Sequence, residues 1–429
     1  MTRRHHLAAA LFAVALTCPA PAAWSQPQPA AAKAASPAWA PVQSALHPFV
    51  DQGQLPGMIT LAFKDGRMVH AEAYGVRDLA TGAPMEMDTI VRAFSMTKPV
   101  TAVAMMILRD EGRWKPEDPI AKHLPELAGL KLWKGKDAEG RPILEAPATP
   151  PTVGQLMTHT AGFLYGFEAS DVDAIYRSDK GPMRAASTED FLRRVADLPL
   201  AYEPGTKWKY SIAMDIQGAM VERLSGQSLA QFMDARIFRP LKMTDTGFHV
   251  PAEKRGRFAA LYEWRDGRLQ APAAGSPFLS DYATPPPFAS GGGGLVTTAH
   301  DYARFARMLL GGGTLDGRRI ISRRAAAEMM SNHLSPELVG GKYGIGMQQI
   351  RPGYEFGYNG VVVTDPAKAG VAMGKGSYLW DGAAGTWFWV DPENRLVFVG
   401  LVQRLMGPGF PPLQPTSQKA VRAALDGTR

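Results

Sequence analysis

Thiol chemistry is all but closed to this chain, whose 429 residues contain one cysteine, Cys18. That residue lies in an N-terminal stretch read below as a removable leader, so disulfides, thiolate catalysis and zinc–cysteine sites drop out together. Long hydrophobic runs are also missing: the apolar stretch Leu7 to Thr17 covers about eleven residues, against the roughly 20 that a membrane-spanning helix needs. No basic run is interleaved with aromatics, which argues against a nucleic-acid partner. Neither a Gly-x-Ser-x-Gly elbow nor, among nine histidines, a His-Glu-x-x-His pair occurs, which argues against an α/β-hydrolase and a zinc hydrolase. The run Gly291 to Gly294 lacks a following Gly-Lys-Ser/Thr and is read as a tight backbone passage, not a phosphate cradle.

What is present is a globular composition, 45% hydrophobic and 20% charged, able to build a sizeable core without crosslinks. Arg3 and Arg4 precede the apolar run, and small residues follow at Ala20, Ala22, Ala23 and Ser25. This is the pattern of a secretory signal peptide over residues 1–25, so export to the periplasm or the medium is expected. A lipid anchor is the lesser reading, because Thr17 stands before Cys18 where Gly, Ala or Ser is usual. The formal charge of +7 drops to about +5 without Arg3 and Arg4, and the remaining charges are scattered.

Residues 26–41 are rich in Ala, Pro and Ser and read as a flexible linker, leaving 42–429 as one unit. Val42 to Val50 reads as an amphipathic helix, and Met58 to Phe63 and Met68 to Tyr74 as strands joined at Lys64-Asp65-Gly66. Met96 to Leu108 reads as a helix too apolar for the surface, stopped at Gly112. Proline-segmented helical patterns fill the middle, among them Thr188 to Ala196, Ile212 to Leu224 and Leu229 to Ile237. Thr298 to Leu310 is a further helix, with Thr298 and Asp301 as a capping-box-like pair. The end turns β-rich over Gly344 to Gln349, Tyr354 to Asn359, Ser377 to Trp380, Thr386 to Val390 and Leu396 to Val402. The fold class is therefore α/β (α+β): a sheet built from both termini and flanked by helices over about 42–113 and 296–429, with a mostly helical lobe over about 114–295.

Ser95-Met96-Thr97-Lys98 is the one place where serine stands three residues before lysine. At that spacing both side chains share a helix face, so the amine can reach the hydroxyl. Alone, the pair reads more readily as a capping serine with an exposed lysine. The apolar stretch that follows instead draws Lys98 inward, where a lysine needs a partner or a task.

The stretch Phe94 to Ala102, followed by Asp110-Glu111-Gly112-Arg113, Asp118-Pro119-Ile120 and His123-Leu124-Pro125-Glu126, resembles the serine–lysine segment of the class C β-lactamase-like family. Leu156 to Phe163 resembles its L-L-x-H-T-S-G-L block, with Ala161 in place of serine. Trp208-Lys209-Tyr210-Ser211 resembles the element presenting its second catalytic side chain, and Gly291 to Asp301 its glycine-rich lead into a helix. These blocks keep family order from about residue 50 to 402.

The resemblance implies a β-lactamase/transpeptidase-like fold with no cofactor and no metal. It makes Ser95 the nucleophile, Lys98 its proton acceptor, and Tyr210 a proton relay whose pKa a nearby ammonium would lower. It further implies a strand lining the site, usually Lys-Thr-Gly, here Trp380-Asp381-Gly382, with the N–H groups of Ser95 and Ala383 as oxyanion hole. Two departures carry weight. Trp380 and Asp381 replace a carboxylate-holding Lys-Thr, and Ile212 stands where the Tyr-x-Asn amide is expected, which makes Trp380, Asp381, Gly382 and Ile212 the candidate substrate-binding positions. Both changes point from anionic lactams towards neutral, partly apolar esters, a pattern similar to the family VIII carboxylesterases. His159 is expected to be structural. A β-lactamase or D-amino-acid-directed peptidase, an acyltransferase and a non-catalytic penicillin-binding-like protein remain as rival expectations. The partner is a small ester or amide in every catalytic case, and oligomeric state stays open.

Overall fold

The computed structural model describes residues 37–276, 278–280, 282–339 and 350–427. The leader and the strand expected over Gly344 to Gln349 lie outside them.

Two alternating apolar segments near the N-terminus, Gly57–Lys64 and Arg67–Asp78, pair through a tight turn in which Asp65 and Gly66 take φ of 53° and 77°, the left-handed geometry that a two-residue hairpin requires. Leu396–Leu401 pairs with the other edge of Gly57–Lys64, Leu61 opposite Val399. The two ends of the chain thus share one antiparallel sheet. Its eight strands run in the order Tyr354–Phe356, Val361–Val363, Tyr378–Asp381, Trp387–Asp391, Leu396–Leu401, Gly57–Lys64, Arg67–Asp78, Ala83–Pro84.

Neighbouring strand residues point to opposite faces, which assigns each helix a side. Trp387 donates its indole N–H to Ser417 Oγ (3.2 Å) on the C-terminal helix Leu413–Asp426, which packs with the N-terminal helix Ala40–Asp51. Phe388 instead meets Tyr302 (centroids 4.9 Å) on helix Ala299–Leu310. The candidate site residues Ser95, Lys98, Tyr210 and Trp380 gather on this second side. Between residues 114 and 295 helices are the main regular elements but long loops hold most of the residues; Thr188–Ala196 and Ala213–Ser225 are close to expectation, and two hairpins, Leu132–Lys136 with Pro142–Glu145 and Glu263–Arg265 with Arg268–Gln270, are added.

Two expectations need correction. The linker over 26–41 is folded at its end: Pro37–Trp39 is a 3-10 turn, and Trp39, 3% exposed, stacks on His70 at 5.9 Å, because one tryptophan outweighs the surrounding Ala, Pro and Ser as buried apolar area. Thr298 does cap its helix, accepting from the Asp301 N–H at 3.3 Å. The Asp301 carboxylate, however, is taken by the Asp245 N–H and Thr246 Oγ1 at 2.7 and 2.9 Å, so the capping box is half made. Finally, the strand Val361–Val363 and the helix Leu413–Asp426 were not anticipated.

Candidate functional site

Ser95 sits in the single turn Phe94–Met96 that runs into helix Thr97–Asp110. Phe94 has φ of 45°, a left-handed conformation that costs a bulky residue strain and turns the chain sharply just before the serine. The helix that follows is buried from Thr97 to Leu108, apolar on every side as a core helix must be. Tyr302 Oη donates to the Met96 carbonyl (2.8 Å), Asn359 Nδ2 to the Lys98 carbonyl (3.0 Å) and the Leu295 N–H to Thr97 Oγ1 (3.1 Å). The first turn therefore has little freedom.

Lys98 is carried inside by that helix and is 1% exposed. Its Nζ lies 3.1 Å from Ser95 Oγ and donates to the Gly292 carbonyl at 2.6 Å. The rings of Tyr210 and Tyr165 flank it at 4.6 and 5.2 Å. Burial penalises the ammonium and brings its pKa down to about 7, with Asp215 and Asp381 pulling the other way. A substantial neutral fraction thus exists at neutral pH.

Tyr210 arrives from the helical lobe and donates its phenol hydrogen to Ser95 Oγ at 2.7 Å. The expectation that an ammonium lowers its pKa is overturned. Burial comes first and pushes the phenol well up; the Ser95 hydroxyl and the Trp380 indole work against that shift without cancelling it. The resting group is a phenol.

The strand Tyr378–Asp381 passes beside the serine turn. Trp380 packs on Tyr210 (5.7 Å) and edge-on to Phe356 (5.5 Å), giving an aromatic wall. After it, the chain comes so close to the serine turn that a Cβ on Gly382 would stand 2.3 Å from the Ala93 carbonyl and from Thr386 Oγ1. Glycine is required there, and the approach sets the 382–385 turn, with Ala383, next to residues 93–95. Phe278 adds an edge-on contact to Phe94 at 6.0 Å.

Two candidate substrate contacts are not brought to the site. Asp381 pairs with Trp387 and shares its face, the one opposite Trp380 and Phe388; its Oδ2 accepts from Gln414 Nε2 at 2.7 Å. Strand alternation turns it towards the C-terminal helix, so it acts on the site only as a distant charge. Ile212 is 0% exposed, packed in the core at the start of helix Ala213–Ser225 and closed to a ligand.

Sequence reasoning missed Asp215 and Asn359, and the part that the Gly292 carbonyl takes in holding Lys98. Asp215 is fully buried; Ser290 Oγ (2.5 Å) and the Gly292 N–H (3.0 Å) donate to its Oδ1, and its charge adds to burial in pushing the neighbouring Tyr165 phenol well up. It holds the glycine whose carbonyl receives Lys98. A Cβ on Gly292 would lie 2.6 Å from Tyr165 Oη and 2.7 Å from Asp215 Oδ2, so the glycine run is the tight passage expected. The available signal was a lone aspartate inside the apolar helix Ala213–Ser225. Among the described residues, no group of His, Cys, Asp or Glu is arranged to hold a metal ion, and no helix is long and apolar enough to cross a membrane.

Comparison with known proteins shows the family and the fold. The Beta-lactamase family description matches residues 42–422. Protein Rv1367c of Mycobacterium tuberculosis is 37% identical over 84% of this chain and 89% of its own length. Esterase EstB of Burkholderia gladioli is 32% identical over 79% of this chain and 83% of its own. The solved structure of simvastatin synthase LovD from Aspergillus terreus superposes with a TM-score of 0.76 at 23% identity, covering 91% of this chain and 99% of that one, a likeness of fold.

Proposed function

Because the chain belongs to the beta-lactamase family, we propose that it is a serine hydrolase that cleaves neutral carboxylic esters through an acyl-enzyme on Ser95. The observation that carries this reading is the convergence of Lys98 Nζ and Tyr210 Oη on Ser95 Oγ, at 3.1 and 2.7 Å. A neutral Lys98 keeps one N–H on the Gly292 carbonyl and turns its lone pair to the serine hydroxyl, acting as general base. Ser95 Oγ bonds to the substrate carbonyl carbon as its proton passes to Lys98. Charge on the carbonyl oxygen is received by the N–H groups of Ser95 and Ala383, where one such donor contributes roughly 3–4 kcal/mol. The C–O bond to the alcohol then breaks, the departing oxygen takes the Tyr210 proton, and the Lys98 ammonium restores the phenol. Water next attacks the acyl carbon, gives its proton to the same pair, and the acid leaves as the serine hydroxyl is regenerated.

Trp380 favours an uncharged substrate, since it offers an aromatic face where a lactam carboxylate would need a cation and hydroxyls. The relative Esterase EstB, similar over most of both chains, supports an ester as the substrate. Export through the leader at 1–25 belongs to the proposal, and the intact mass of protein recovered from the periplasm or medium checks it. The central experiment compares short-chain p-nitrophenyl esters, nitrocefin and a D-Ala-D-Ala peptide as substrates. Esters should turn over fastest and Ser95→Ala should lose nearly all the rate; an undiminished rate in that variant would remove Ser95 from the mechanism.

A further inference from the structure

Tyr210 has no regular secondary structure to hold it, since residues 207–211 lie in neither helix nor strand. Its phenol must nevertheless stay on Ser95. The backbone on both sides of Tyr210 is gripped by one residue, His159. The Lys209 N–H donates to the His159 carbonyl at 3.0 Å, and the Ser211 N–H donates to the His159 imidazole Nδ1 at 3.1 Å, with Ser211 Oγ 3.0 Å from the same nitrogen. Between these two anchors the imidazole lies against the Tyr210 ring, centroids 4.9 Å apart.

This arrangement has costs that a merely space-filling residue would not bear. A bond accepted at Nδ1 places the ring proton on Nε2, which is buried and has no hydrogen-bond partner among the described residues. His159 also takes φ of 58°, a left-handed conformation uncommon outside glycine, though Asn, Asp and His enter it more readily than other side chains. An orphaned buried donor and a strained backbone persist where something else demands them.

Resting on the esterase reading above, we infer that His159 is a positioning residue for the proton donor, clamping the chain either side of Tyr210 so that its phenol is held on Ser95. The consequence is a dependence on leaving group. An alkoxide needs a proton as it departs, whereas p-nitrophenolate, a weak base, leaves without one.

The test compares an ethyl ester with the p-nitrophenyl ester of the same acid in wild type, His159→Ala and His159→Asn, with fluorophosphonate labelling of Ser95 as the measure of folded sites. Asparagine tolerates the left-handed backbone and can offer an amide oxygen to Ser211, so it serves if the alanine variant does not fold. Per labelled site, His159→Ala should lose about 10- to 100-fold on the ethyl ester and less than about threefold on the activated one, with partial recovery in His159→Asn. In a Tyr210→Phe background the histidine change should add nothing further. Equal losses on both esters, or an additive loss in that background, would overturn the clamp. A wild type inert towards both esters would instead overturn the esterase reading.

Discussion

Tyr210 donates to Ser95 Oγ across 2.7 Å although 115 positions of chain separate the two residues. With Lys98 Nζ on the same oxygen, the serine hydroxyl is bracketed by an amine and a phenol whose pKa values burial has moved in opposite directions. Burial disfavours the charged form of each, so the amine becomes a base and the phenol stays an acid. In the proposed mechanism this divides the acid and base roles without a histidine.

The pH profile follows directly. The lysine pKa is depressed to about 7, and the free amine, the working form, predominates above it. For an uncharged ester, log kcat/KM should rise by about one unit per pH unit below that value and level off above it. A profile that stays flat from about pH 5 to about pH 9 would exclude Lys98 as the base.

Asp215 favours the Lys98 ammonium through its charge. Asp215→Asn should therefore shift the acidic limb of the same profile to lower pH, by about half a unit to one unit. An unchanged or upward-shifted limb would show that the carboxylate has no electrostatic hold on the lysine.

Gly382→Ala should be severe. The new methyl would collide with the Ala93 carbonyl and Thr386 Oγ1 at 2.3 Å, forcing the 382–385 turn away from the serine turn. Displacements near 1 Å at reacting groups cost about 100-fold, and we expect a fall of that order in kcat with a smaller change in thermal midpoint. Near-normal kcat in a folded variant would mean that the close approach does not matter to the chemistry.

Asn359 ties the Lys98 carbonyl to Gln217 from a left-handed backbone position, with φ of 56°. Asn359→Ala strips the partner from a buried carbonyl and from Gln217, and should cost about 1–3 kcal/mol in urea unfolding, with a further penalty from the positive φ. A loss within about 0.5 kcal/mol, the usual range for surface changes, would mean that these bonds are dispensable.

Much of the fold was legible because local signals agreed with it. The turn at Asp65-Gly66, the cap at Thr298 and the apolar periodicity of Thr188–Ala196 are contained in a few neighbouring residues, and the structure keeps all three. Trp39 and the helix Leu413–Asp426 were not legible, since their burial depends on one another's presence at opposite ends of the chain. Within the site, the three-residue spacing of Ser95 and Lys98 is read directly, whereas Tyr210 needs the resemblance of ordered blocks.

From the sequence alone it follows that a lysine one helical turn from a serine is drawn inward, because from Pro99 to Leu108 the helix it starts has Thr101 as its one polar side chain. Only the tertiary structure decided which distant groups meet that pair. Strand alternation sent Trp380 to the site and Asp381 to the far face, core packing sealed Ile212 away, and the desolvation that sets the charge of Lys98 and Tyr210 arises from the whole surrounding shell rather than from any neighbour along the chain.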